Sequence, residues 1–238
     1  MSGRFERSNI IVAGGTGGLG RAVSLAFLQE GARVAVSYIH RHELDELKEA
    51  AGTAGSKLSG HEVDVTSDAA ANAFISEVAS GAGIDALVNT VGGWTGGAPL
   101  WEADGATLDR MLALNLKSGY ALTRAVVPVM RSRSRGAVVN LIAKAAIEPP
   151  AGAGAYAASK AAALALMESL AADLKGSGVR VNCVLPSIID TEANRKSMPK
   201  ADFSRWPKPE DIARVILFLC SDEAKVIQGA AIPVYGDS

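Results

Sequence analysis

The chain has 238 residues, of which 48% are apolar and 21% charged, and its net charge is −1. This length fills one domain with a full hydrophobic core, and the composition excludes a disordered chain or a polyanion-binding surface, so no nucleic-acid partner is expected. Cys183 and Cys220 sit in apolar contexts and read as buried reduced thiols, with no metal-ligand spacing around them. The N-terminal M-S-G-R-F-E-R lacks the apolar stretch of a signal peptide, and no apolar run is long enough to span a membrane. A soluble cytoplasmic protein with no membrane partner is the expectation.

In chain order, short apolar runs alternate with segments of helical period. Asn9–Ala13 and Arg33–Tyr38 read as strands, with a helix at Leu19–Gln29 between them. Val63 ends a third strand, Ile84–Asn89 is a fourth, Gly136–Ile142 a fifth, Val179–Leu185 a sixth and Ala231–Val234 a seventh. The helices between them are Glu43–Ala51, Ala69–Ser80, Thr107–Arg131, Tyr156–Lys175 and Pro209–Cys220. Such alternation predicts an α/β fold, a single doubly wound domain over residues 1–238 with a parallel sheet covered on both faces. Residues 190–207 have the weakest periodicity and read as a loop or short helices over the site, a candidate substrate lid.

The first strand runs into A-G-G-T-G-G-L-G, in which Gly14, Gly18 and Gly20 frame a turn leading through Leu19 into a helix. Glycines permit a tight turn and close approach to a pyrophosphate, whose charge the helix N-terminus favours. This strand–turn–helix context makes the motif a nucleotide signature. Asp64, followed by Val65, stands where a carboxylate accepts a hydrogen bond from an adenine amine; the other reading is a helix cap, which Thr66 or Ser67 can also supply. The second strand ends in S-Y-I-H-R, without an acid at Ser37, Tyr38 or Ile39. A basic residue there accommodates a 2′-phosphate, so His40 and Arg41 favour NADP(H) over NAD(H). Arg41 equally fits a solvated first-turn residue of the next helix.

Tyr156 and Lys160 lie four apart on one predicted helix, so phenol and ammonium face one site. A nearby ammonium favours phenolate and is expected to lower the tyrosine pKa, giving a proton donor usable near neutral pH.

Together these features resemble the short-chain dehydrogenase/reductase family over essentially the whole chain. Also matching are N-T-V-G at Asn89–Gly92, Asn115 in L-N-L-K-S, Y-A-A-S-K, and Pro186 followed by Thr191. The resemblance implies a Rossmann-type fold and hydride transfer between a nicotinamide cofactor and a small molecule. It implies that Tyr156 is the acid/base, that Lys160 holds the nicotinamide ribose and that Asn115 supports a proton-relay water. It places Asn89, Pro186 and Thr191 at the cofactor. A homodimer or homotetramer is expected, because the helices at Thr107–Arg131 and Tyr156–Lys175 form the dimer interface in related proteins.

Three departures stand out. Thr90 and Val91 replace the usual Asn-Ala, Ser187 replaces a glycine, and Ala143 occupies the position of the catalytic serine, thirteen residues before Tyr156. In carbonyl reduction that serine hydrogen-bonds the developing oxyanion, and losing one such donor costs about 10²–10³ in rate. A narrower resemblance accounts for the alanine. Dihydropteridine reductases, members of this family, also carry Ala-Lys-Ala-Ala here, a G-G-W-x-G-G segment like Gly92–Gly97, and a stretch like Asn194–Trp206. Asn115 and the missing acid near Tyr38 depart from that subgroup. A quinonoid dihydropterin is already electron-poor and accepts hydride without a polarising hydroxyl. Trp94 is a candidate to pack on such a ring or simply within its loop. Asn194 is a candidate pterin ligand or a helix cap, while Trp101 and Trp206 read as packing residues. Two other readings stay open: a carbonyl reductase or alcohol dehydrogenase without its serine, and a non-catalytic cofactor-binding sensor or scaffold.

Overall fold

A computed structural model describes residues 3–238. Seven parallel strands form one sheet among these residues: β1 (Asn9–Ala13), β2 (Arg33–Tyr38), β3 (Leu58–Glu62), β4 (Ala86–Asn89), β5 (Gly136–Leu141), β6 (Val179–Pro186) and β7 (Ala231–Val234). Their order across the sheet is β3-β2-β1-β4-β5-β6-β7. The chain reverses direction across the sheet between β1 and β4, which opens a crevice at their C-terminal ends, the usual ligand position in such folds.

The helices are α1 (Gly18–Gln29), α2 (Arg41–Ala51), α3 (Asp68–Ala82), α4 (Gly105–Leu112), α5 (Ser118–Ser132), α6 (Gly154–Asp173), α7 (Glu192–Ser197) and α8 (Pro209–Cys220). Strand residues alternate between the two faces, as the pleat requires. Ile10, Val12, Val34 and Val36 pack with Val23 and Phe27 of α1 and Ile212 and Ile216 of α8. Ile11, Ala35, Leu87 and Val138 pack on the other face with Phe74 of α3, Val126 of α5 and Met167 of α6. Two-sided burial explains why these strands read as continuous apolar runs.

Two predicted elements differ. The helix expected over Thr107–Arg131 is α4 and α5, joined by a π-helical turn at Ala113–Lys117. The widened turn brings Asn115 inward, where its side chain bonds Gly93; π-turns of this kind recur at functional sites. The third strand precedes Val63 rather than ending on it, and Asp64 lies beyond its end. Its polar sequence L-S-G-H-E belongs to an edge strand, which carries no two-sided apolar signal. The segment 190–207 does form short helices, α7 and a turn at Phe203–Arg205.

Candidate active site

The glycine turn is fixed by steric exclusion. Gly14 has φ +70°, which favours glycine. A Cβ on Gly20 would lie 2.1 Å from the Gly14 carbonyl oxygen, and one on Gly15 would lie 2.4 Å from Val36. The Gly14 amide donates to Ser37 Oγ at 3.0 Å, and Thr90 Oγ1 donates to the Ala13 carbonyl at 2.7 Å. Thr90, a departure from the family pattern, thus pins the exit from β4 to the end of β1 and the start of the turn. No side chain among the described residues caps the N-terminus of α1, and no acid occupies its first turn. An open helix N-terminus behind a glycine cradle fits a dinucleotide pyrophosphate.

A cavity of about 320 Å³ extends from this turn past the ends of β2 and β3 to Gly92. Gly14, His40, Asp64 and Val65 line it. Asp64 Oδ1 accepts from Thr66 N at 2.9 Å and Thr66 Oγ1 at 2.7 Å, which lowers its pKa below the usual carboxylate value. Ser67, not Asp64, caps α3. Leu19 is buried beneath the turn. Arg41 does not line the cavity; it is exposed and paired with Asp45 at 3.2 Å, one helical turn away. Glu43, which the sequence did not single out, does line it and accepts from Thr16 Oγ1 at 2.7 Å.

Gly92 marks the meeting of the cavity and α6. A Cβ there would lie 2.8 Å from Asn115 Oδ1 and 3.1 Å from Lys160 Nζ. Asn115 accepts from Gly93 N at 2.9 Å, donates to Gly93 O at 3.0 Å and donates to Ser159 Oγ at 2.9 Å. Ser159 donates in turn to the Tyr156 carbonyl at 2.7 Å. Sequence reasoning missed Ser159, although it adjoins Lys160. It also missed Asn140, whose Oδ1 accepts from Asn89 Nδ2 at 2.7 Å; Asn89 Oδ1 accepts from Val91 N at 3.1 Å, shaping the exit from β4.

Tyr156 is half-buried near the start of α6, and Lys160, one turn on, is buried. Lys160 Nζ donates to the Leu141 carbonyl at 2.9 Å. Burial pushes the Tyr156 phenol up to about 12, the reverse of the direction expected from the sequence. The ammonium is engaged with the strand carbonyl, and desolvation of the phenol dominates. Burial also pushes Lys160 down to about 8, against the opposing pull of Cys183. Ala143 is buried beyond the end of β5, and the turn Lys144–Ala146 that follows it packs against α6.

The segments around the site are looser. Trp94 is 67% exposed, with its ring folded over Gly96. Trp206 is buried as expected, but Trp101 is 85% exposed, so it is not a packing residue. Pro186 ends β6, and Thr191 caps α7 by accepting from Asn194 N. A Cβ on Gly18 would lie 3.0 Å from Thr191 Cγ2, so the segment 190–207 begins against the glycine turn. Asn194 Nδ2 donates to the Ile189 carbonyl at 2.8 Å.

A smaller cavity of about 200 Å³ lies at the opposite ends of the strands, lined by Arg4, Asp85 and Arg180. Its charges are internally matched: Arg180 donates to the Leu219 and Ser221 carbonyls, and Asp85 pairs with Arg133. No described helix is long and apolar enough to cross a membrane.

The family model described as Enoyl-(Acyl carrier protein) reductase matches residues 13–236. The 3-oxoacyl-[acyl-carrier-protein] reductase FabG of Thermotoga maritima is 35% identical over 242 residues, covering 98% of each chain. The 7alpha-hydroxysteroid dehydrogenase of Escherichia coli K12 is 31% identical, covering 98% of this chain and 94% of the relative. A solved short-chain type dehydrogenase/reductase from Mycobacterium ulcerans superposes with a TM-score of 0.92 at 26% identity, over 98% of this chain and 90% of that one. The chain belongs to the short-chain dehydrogenase/reductase family. It is an NAD(P)-dependent oxidoreductase of that family, with a small molecule as substrate. The glycine turn, the open helix N-terminus and the Gly92 gap fit a nicotinamide dinucleotide.

Proposed function

We propose that this short-chain oxidoreductase reduces a quinonoid dihydropterin-like or related conjugated electrophile. The observation that carries this reading is Ala143, a buried methyl where a carbonyl reductase needs a hydroxyl at the oxyanion. A bound nicotinamide supplies the hydride. Tyr156 holds the proton that completes the reduction, and Lys160 supports it electrostatically while binding the cofactor ribose. Asn115 and Ser159 hold the Tyr156 helix against the Gly93 loop. Gly14, Gly18, Leu19 and Gly20 seat the pyrophosphate. Asp64 and Val65 border the adenine, and Asn89, Pro186 and Thr191 complete the cofactor site. Trp94 and Asn194 border the substrate.

His40 lies at the cavity rim, but Arg41 is paired with Asp45 and would reach a 2′-phosphate only by leaving it, so these two residues do not by themselves select the coenzyme. A homodimer or homotetramer is supported by the family resemblance and by Ala158, Ala161 and Ala165, exposed at helical spacing on α6.

A second reading, reduction of an isolated ketone, is favoured by the identity to the 3-oxoacyl-[acyl-carrier-protein] reductase. The deciding experiment follows NADH and NADPH oxidation with chemically generated quinonoid dihydropterin beside a panel of ketones. Tyr156→Phe is expected to lose about 10²-fold or more of the pterin rate. Ala143→Ser is expected to raise ketone reduction about tenfold or more and leave pterin turnover within about twofold. Ketone turnover without pterin turnover in the unmodified enzyme would establish the second reading.

A further inference from the structure

We propose that Glu43 selects the coenzyme and favours NAD(H) over NADP(H), reversing the preference drawn from His40 and Arg41. The inference rests on reading the cavity beside the glycine turn as the adenine–ribose site.

Dinucleotide folds commonly set an acid about 20 residues beyond the glycine turn against the ribose 2′-hydroxyl. The end of β2 supplies none: Ser37 turns its hydroxyl to the Gly14 amide, and Tyr38 is buried. Helix α2 starts at Arg41, and its first turn carries Glu43 back into the cavity. The hydrogen bond from Thr16, itself buried in the glycine turn, holds Glu43 Oε2 beside that turn. The other carboxylate oxygen accepts no hydrogen bond among the described residues, and no ion pair to Glu43 is found among them.

The neighbouring guanidinium groups are matched elsewhere. Arg41 pairs with Asp45, and Arg21 pairs with Glu46 at 3.0 Å. Neither guanidinium forms an ion pair with Glu43, and each is engaged by another carboxylate of α2. A carboxylate accepts a hydrogen bond from a ribose hydroxyl. It repels a 2′-phosphate, which brings about two further negative charges and no donor.

The test is the dissociation constants of NADH and NADPH for the full chain, read from quenching of tryptophan fluorescence and from thermal shift, so that no turnover is needed. The unmodified chain is expected to bind NADH at least about tenfold more tightly. Glu43→Gln, which keeps an acceptor for Thr16, is expected to shrink the ratio about tenfold, mainly by improving NADPH. Thr16→Val, which frees the carboxylate, is expected to shrink it less. Preference of the unmodified chain for NADPH, or a ratio unmoved by Glu43→Gln, overturns the proposal. So does Asp45→Asn bringing NADPH level with NADH, since Arg41 would then be the selector. A folded chain that binds neither coenzyme refutes the reading of the cavity itself, and the proposal with it.

Discussion

The half of the site proposed for the coenzyme and the half proposed for the substrate are built differently. The coenzyme half is tightly packed: Gly20 abuts the Gly14 backbone and Gly15 abuts Val36, leaving no room for a methyl group, and Thr90 ties the exit from β4 to the end of β1. The substrate half, formed by 92–104, 143–154 and 190–207, leaves Trp94, Leu100 and Trp101 exposed. It is held by isolated bonds such as Gly97 N to the Gly152 carbonyl at 3.0 Å, and the Arg195 pair with Asp190. Steric exclusion admits few residue types, whereas an exposed loop admits many. The first half therefore tolerates few substitutions, and the second is free to vary with the substrate.

The sharpest challenge to this contrast is Gly20→Ala. Its Cβ meets a carbonyl oxygen rather than a movable side chain, so a loss of about 3 kcal/mol or more in urea unfolding is expected, together with loss of coenzyme binding. A variant as stable as the parent would show that the turn is not sterically fixed.

Lys160→Met should act in the opposite sense on stability. The folded-state pKa of about 8 lies below the ordinary lysine value of 10.5, so the buried charge opposes folding at neutral pH. Removing it is expected to add up to about 3 kcal/mol at pH 7. Between pH 8 and 10.5 the parent regains stability as pH rises, because the unfolded chain still binds the proton that the folded chain has released. The advantage of the variant should therefore fade through this window, and unfolding curves at pH 7 and above 10.5 check it. The same variant is expected to lose catalysis.

Smaller effects are expected in the substrate half. Trp94→Ala should raise the substrate KM a few-fold, about 1 kcal/mol, without changing the unfolding midpoint. Trp101→Ala should shift stability by less than about 0.5 kcal/mol, because its ring is solvated. A large stability loss from either would mean that these loops are as firmly packed as the glycine turn.

Legibility followed the same divide. The alternation of Ile10 and Val12 with Ile11 and Ala13 is a local record of two-sided burial, and the sheet was readable from such runs. Edge strand β3 has no such record, so only its end was visible. Tyr156 and Lys160 share a face by helix geometry alone. Ser159 went unnoticed between them because its role depends on Asn115, 44 residues earlier. The break in the helix at Asn115 was hidden for the same reason: the sequence there is ordinary, and the partner that draws the side chain inward is Gly93.

By itself the sequence determined the doubly wound sheet, the glycine turn and the placement of Tyr156 and Lys160 one turn apart on a helix. Each is encoded by residues near one another in the chain, through burial period and backbone freedom. Only the tertiary structure decided which charged side chain enters the cavity beside the glycine turn, and in which direction burial moves the Tyr156 phenol. Glu43 enters because Thr16, 27 residues away, holds it there. The phenol is pushed up by its burial, while the Lys160 ammonium is engaged by the Leu141 carbonyl, and both outcomes depend on contacts between elements distant in the chain.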